Sequence, residues 1–95
     1  MKSIYKYKID IDREQFTIRG PIVKLLTVQA QCSQICVWAE IDTDMPERVF
    51  DILPMGTGWN LERMKHFDLM TYLGTVQLYG GALVWHMYYL EKLEA

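Results

Sequence analysis

The chain is short of almost everything that would announce an activity. It has two cysteines, three prolines, no surplus of basic residues and no long apolar run. Each shortage excludes something. Cys32 and Cys36 cannot make a disulfide framework. Ten Lys and Arg against twelve Asp and Glu leave a net charge of -2. That balance lacks the basic footprint that neutralises a phosphate backbone, so duplex DNA is not an expected partner. No apolar stretch approaches the roughly 20 residues of a transmembrane helix, and none is expected to meet a membrane. The opening Met1-Lys2-Ser3-Ile4-Tyr5-Lys6 becomes charged too early for a signal peptide. The expected setting is therefore cytoplasmic, with reduced thiols. Internal repeats, low-complexity tracts and interdomain linkers are also missing.

What is present suits one domain spanning residues 1–95, half of it (51%) hydrophobic. Six Tyr, three Trp and three Phe are many for such a chain. Some of those rings should reach the surface, which favours a homo-oligomer or another partner.

Hydropathy alternates with a period of two along most of the chain, the signature of half-buried strands. Tyr5, Tyr7, Ile9 and Ile11 oppose Lys6, Lys8 and Asp10 in a first strand over 4–11. A polar turn at Asp12-Arg13-Glu14 leads to a second strand with Phe16 and Ile18, broken by Gly20-Pro21. Residues 22–31 and 35–42 read as a hairpin around a two-residue turn, Cys32-Ser33. Its register pairs Ala30 with Ile35, Val28 with Val37 and Leu26 with Ala39, and a slip of one residue would scramble that apolar face. Arg48 to Leu53 is a fifth strand with Phe50 and Ile52 on its apolar side, and Pro54 to Trp59 a loop rich in breakers. Asn60 can cap a short helix over 61–66. The last hairpin, 72–79 and 82–89, turns at Gly80-Gly81. It pairs Leu78 with Leu83, Val76 with Trp85 and Tyr72 with Tyr89 as core. Its other face carries Thr75, Gln77, Tyr79, Val84, His86 and Tyr88, aromatic and hydrogen-bonding but uncharged. About seven short strands joined by hairpins predict an all-β, mainly antiparallel barrel or sandwich, with at most that one short helix.

No constellation amounts to a catalytic set. Cys32, Cys36, His66 and His86 match a Cys₂His₂ zinc site by count, but the cysteines are spaced C-x₃-C and the histidines lie far apart, so no metal is expected. Asp42, Asp44, Glu47 and Asp51 resemble the opening of a calcium loop without its glycine, and read as a solvated acidic loop. Neither cysteine adjoins a helix N-terminus or a cation cluster that would activate a thiolate, and Ser33 lacks the G-x-S-x-G elbow. The chain is therefore read as a non-enzyme without a cofactor. Gly56-Thr57-Gly58 is the remaining candidate: glycines let backbone amides approach an anion, and Trp59 beside them can stack on a base. The plainer reading is a tight turn with a Trp plugging the end of the β structure. His86 has two readings as well, a histidine bonded to its strand neighbour Thr75 or a recognition group acting with Gln77, Tyr79 and Tyr88. Arg48 and Arg63 are the cations that can meet an anionic ligand if the loop between them folds over a pocket.

The closing segment Gly74-Thr75-Val76-Gln77-Leu78-Tyr79-Gly80-Gly81-Ala82-Leu83-Val84-Trp85-His86 resembles a family of small, functionally uncharacterised bacteriophage-encoded proteins. Ile4-Tyr5-Lys6-Tyr7, Leu26-Thr27-Val28-Gln29, Cys36-Val37-Trp38-Ala39 and Arg48-Val49-Phe50 followed by Gly56-Thr57-Gly58 extend the likeness over most of the chain. The family pattern often has His after Gly-Thr-Gly, where this chain has Trp59. The resemblance implies a phage or prophage origin and expression in the host bacterial cytoplasm, where small accessory proteins act by binding. The expected function is thus a non-catalytic accessory protein that interferes with a host process such as antiviral defence. It would bind a host protein or sequester a small nucleotide through Arg48, Gly56, Thr57, Gly58, Trp59, Gln77, Tyr79, His86 and Tyr88. A virion structural or assembly protein and a small nucleotide hydrolase using His86 or Cys36 are the alternatives.

Overall fold

The alternating segments become seven strands: β1 (Lys2–Ile9), β2 (Phe16–Gly20), β3 (Ile22–Gln31), β4 (Gln34–Asp42), β5 (Arg48–Gly56), β6 (Thr71–Leu78) and β7 (Leu83–Lys92). The computed structural model describes residues 1–10 and 16–93; Ile11 and the turn expected at Asp12-Arg13-Glu14 lie outside them. All pairings are antiparallel. One sheet has the order β1-β4-β3, the other β2-β5-β7-β6, and they pack as a sandwich rather than a closed barrel. No helix among the described residues is long and apolar enough to cross a membrane.

The core lies between the sheets. Ile9, Val28, Ile35, Val37, Ala39 and Ile41 come from one side and Phe16, Ile18, Phe50, Ile52, Val76, Leu78 and Met87 from the other. Every second residue of a strand points inward, so apolar alternation on each strand suffices to build this layer. β5 departs from the rule, because Val49, Leu53 and Met55 on its other face are also buried. Flanked by β2 and β7, it is a central strand that the chain covers on both sides.

The β3–β4 hairpin turns at Cys32-Ser33 as expected, with φ of 51° and 63° at the two residues. Positive φ at both central positions is the primed geometry that matches strand twist. Ala30 opposes Ile35 and Val28 opposes Val37, but Leu25, not Leu26, opposes Ala39. Irregularities between Ile22 and Lys24 and between Leu25 and Thr27 insert extra residues. These bulges reset the parity, so Ile22, Leu25 and Val28 all face the core while Leu26 is left 39% exposed.

The last hairpin keeps its Leu78–Leu83 and Val76–Trp85 pairs, but a shift between Tyr72 and Gly74 puts Tyr72 opposite Tyr88 instead of Tyr89. Tyr72 therefore leaves the core for the surface. The shift lies at Gly74, where a Cβ would come 2.9 Å from Val28 Cγ1. The missing side chain lets β6 approach β3 of the opposite sheet. The connection itself is wider than a Gly-Gly pair, a short 3-10 segment over Tyr79–Gly81.

Two further expectations are corrected. β5 runs on through Pro54 to Gly56, so the breaker-rich loop shrinks to Thr57-Gly58-Trp59. Within that extension Pro54 stands opposite Met87 of β7. The helix expected over 61–66 is instead a pair of 3-10 turns, Leu61–Arg63 and Phe67–Leu69. Asn60 does cap the first: Glu62 N–H donates to Asn60 Oδ1 at 3.0 Å.

Candidate functional site

The end of β5 builds one wall of a small pocket. Gly56 ends the strand, and Trp59 N–H donates back to Gly56 O at 3.2 Å, closing a tight turn. Gly58 sits at φ +86°, a conformation open to glycine at little cost. The turn folds the Trp59 indole over Gly56, where a Cβ would fall 2.5 Å from Trp59 Nε1. Trp59 meets Trp85 edge-on at 5.7 Å and 84° and still leaves 55% of its surface exposed. Trp85 lies directly opposite Gly56 on β7.

The second wall comes from β7. His86 is opposite Met55 on one side and Thr75 on the other. Its ring joins the turn to β6: Nε2 lies 2.7 Å from Thr57 Oγ1 and Nδ1 lies 3.0 Å from Thr75 Oγ1. Thr75 Oγ1 is in turn hydrogen-bonded to Tyr72 Oη at 2.5 Å. A neutral imidazole donates from one nitrogen and accepts at the other, and hydroxyls do both. The chain Tyr72–Thr75–His86–Thr57 can therefore run in either direction. Two residues along β7, Tyr88 packs edge-on against Phe67 at 5.4 Å and Tyr72 at 5.5 Å. Phe67 belongs to the second 3-10 turn, which places that segment against this face of the sheet.

These walls enclose about 150 Å³, lined by Met55, Gly56, Thr57, Gly58, Trp59, Leu61, His86 and Tyr88. Of the residues singled out in the sequence, Gly56, Thr57, Gly58, Trp59, His86 and Tyr88 come together here. Three do not. Gln77 is exposed on β6 beside the hairpin end, with Oε1 3.2 Å from where a Gly81 Cβ would stand. Tyr79, in a left-handed conformation, faces a separate cleft of about 350 Å³ with Asp10, Cys32 and Ser33.

Arg48 is drawn away by stronger local chemistry. Nε and Nη2 donate to the two carboxylate oxygens of Glu91, each at 2.8 Å. Nη1 donates to Ile22 O and Val23 O, also at 2.8 Å, and the guanidinium lies 5.0 Å from the Phe50 ring centre. The forked salt bridge holds the Glu91 carboxyl below its ordinary value and raises that of Arg48. Arg48 thus ties β5 and β7 of one sheet to the start of β3 in the other.

Sequence reasoning missed Met55, Leu61 and the part played by Tyr72. No local signal marks Met55, because its place beside His86 depends on β5 pairing with β7. The metal and thiol candidates disperse: Cys36 is buried on β4 and Cys32 exposed at the hairpin tip. No group of three or more His, Cys, Asp or Glu that could hold a metal forms among the described residues.

A family model described as a domain of unknown function, DUF7352, matches residues 1–95, and the chain belongs to that family. No curated protein and no solved structure matches the chain.

Proposed function

We propose that this member of DUF7352 is a non-catalytic accessory binding protein of phage type that interferes with a host process, taking a small ligand in the pocket between the Gly56–Trp59 turn and β7. The observation that carries the reading is the meeting of two distant segments. A glycine-bearing turn with a half-exposed Trp closes on His86 and Tyr88 and is hydrogen-bonded to His86 through Thr57. Apolar walls around a few convergent polar groups are what small-molecule sites require. Sequestration of a nucleotide signal in an antiviral pathway is the setting that fits the phage-like resemblance. A homo-oligomer would cover the remaining exposed aromatics, Tyr5, Tyr72 and Tyr79.

The test is a double substitution, Trp59→Ala with His86→Ala, assayed for ligand retention by native mass spectrometry and for interference in infected cells. Trp59 is half-exposed and His86 lies outside the buried core, so the fold should survive and cargo and interference should both be lost. Full retention of either by the folded variant refutes the site. The hydroxyl–imidazole–hydroxyl chain Thr57–His86–Thr75 favours a second reading, a small hydrolase with His86 as base. Turnover of bound nucleotide by wild type, lost in His86→Ala, would establish that reading in place of sequestration.

A further inference from the structure

The equipment of the pocket indicates which part of a ligand it holds, and this inference rests on the binding reading above. The volume, about 150 Å³, is half the lower end of the roughly 300–1,000 Å³ usual for small-molecule sites. It accommodates one ring system, not a ring together with a sugar phosphate.

The charges agree with the size. None of the side chains lining the pocket is Lys, Arg, Asp or Glu. Arg48, which the sequence offered for a phosphate, begins the strand whose far end forms the pocket. At about 3.3 Å per residue, Gly56 lies roughly 26 Å from it, beyond the reach of any side chain. Its guanidinium is also committed to Glu91, Ile22 and Val23. Arg63, on the neighbouring 3-10 turn, is exposed and does not line the pocket. Within the turn, the Trp59 amide is already committed to Gly56 O.

What remains for recognition is neutral. Trp59 and Tyr88 supply aromatic surface. The Thr57–His86 pair supplies a hydrogen-bonding edge that can donate or accept, since the Tyr72–Thr75–His86 chain behind it can reverse. A planar heterocycle with an amide-like edge satisfies both features, stacking on the rings and exchanging hydrogen bonds with the pair. We propose that the pocket takes the base of a purine or pyrimidine nucleoside, and that any phosphate attached to it stays outside in solvent.

The experiment is calorimetric titration of the full chain with adenosine, guanosine, cytidine and uridine, with their monophosphates, and with inorganic phosphate and ribose 5-phosphate. Amide NMR spectra locate each ligand. At least one nucleoside should bind and shift the Gly58 and Trp59 amides. Its monophosphate should bind within about threefold, with little salt dependence, because an exposed phosphate meets no paired cation. Thr57→Val should weaken the nucleoside about tenfold, the loss of one hydrogen bond, while its amide spectrum shows that the variant is still folded under the titration conditions. Phosphate or ribose phosphate shifting these amides with no nucleoside bound overturns the base assignment but leaves the pocket a ligand site. Absence of binding by every probe overturns both.

Discussion

Replacing Glu91 by Gln tests whether one ion pair within the β5–β7 sheet holds Arg48 where it reaches the carbonyls of β3 in the other sheet. Arg48 and Glu91 meet in a two-pronged contact at 2.8 Å with side chains 30% and 35% exposed. Charge-assisted forks of this kind are stronger than ordinary hydrogen bonds, but partial exposure screens them, leaving about 1 kcal/mol of coupling. Arg48→Met should cost more, about 2–3 kcal/mol, because it also strips a donor from the Ile22 and Val23 carbonyls and an ion partner from Glu91. A double-mutant cycle of Arg48→Met and Glu91→Gln separates these effects. For a domain of this size each kcal/mol moves the midpoint by about 4–8 °C. The sign of the pH dependence follows from the direction of the Glu91 shift. Its carboxyl titrates lower in the folded chain than its ordinary value of 4.5, so the contribution is complete above that value and is lost as pH falls through the folded one. Urea unfolding of the four proteins should show the coupling at neutral pH and little of it in acid. Coupling below about 0.3 kcal/mol at neutral pH, or coupling that grows on acidification, refutes the latch.

Three other outcomes are expected. Cys32→Asn with Ser33→Gly should stabilise the chain by about 1 kcal/mol in urea unfolding, since φ of 51° and 63° suits those residues better; an unchanged or lower midpoint contradicts the turn geometry. Gly74→Ala should cost about 1–3 kcal/mol by overpacking, with Val28→Ala restoring part of it, because the new methyl would stand 2.9 Å from Val28 Cγ1; additivity of the two changes would show that β3 and β6 do not meet there. Met87→Ala, at a side chain 0% exposed between Gly74 and Pro54, should cost about 2–5 kcal/mol in thermal unfolding, and a loss below about 1 kcal/mol would remove it from the core.

Much of the fold was legible because alternation is local. A strand with one face buried must repeat every two residues, so Ile9, Val37, Ile52 and Val76 identified themselves. The misses share a cause. Leu26 and Tyr72 were assigned inward by continuing the alternation, and both were turned outward by bulges that close packing imposes. Gly74, the residue that allows one of these approaches, reads in sequence as an ordinary strand glycine. The loop expected from Pro54 was in fact strand, because pairing with β7, a segment thirty residues away, carries β5 on to Gly56.

The candidate site divides in the same way. Composition and local motif were enough to mark the Gly-Thr-Gly turn, the adjacent Trp59 and the uncharged face of β7, since turn chemistry and side-chain parity are properties of a few consecutive residues. Which of these would meet was decided only by β5 pairing with β7, which brings Met55 to His86 across thirty-one positions. That pairing also decided the fate of Arg48. Read alone it was a free cation for a phosphate; once β7 placed Glu91 beside it and the other sheet offered two carbonyls, the guanidinium was spent on structure. Local sequence determines what each side chain can do, whereas long-range register determines which partner reaches it first.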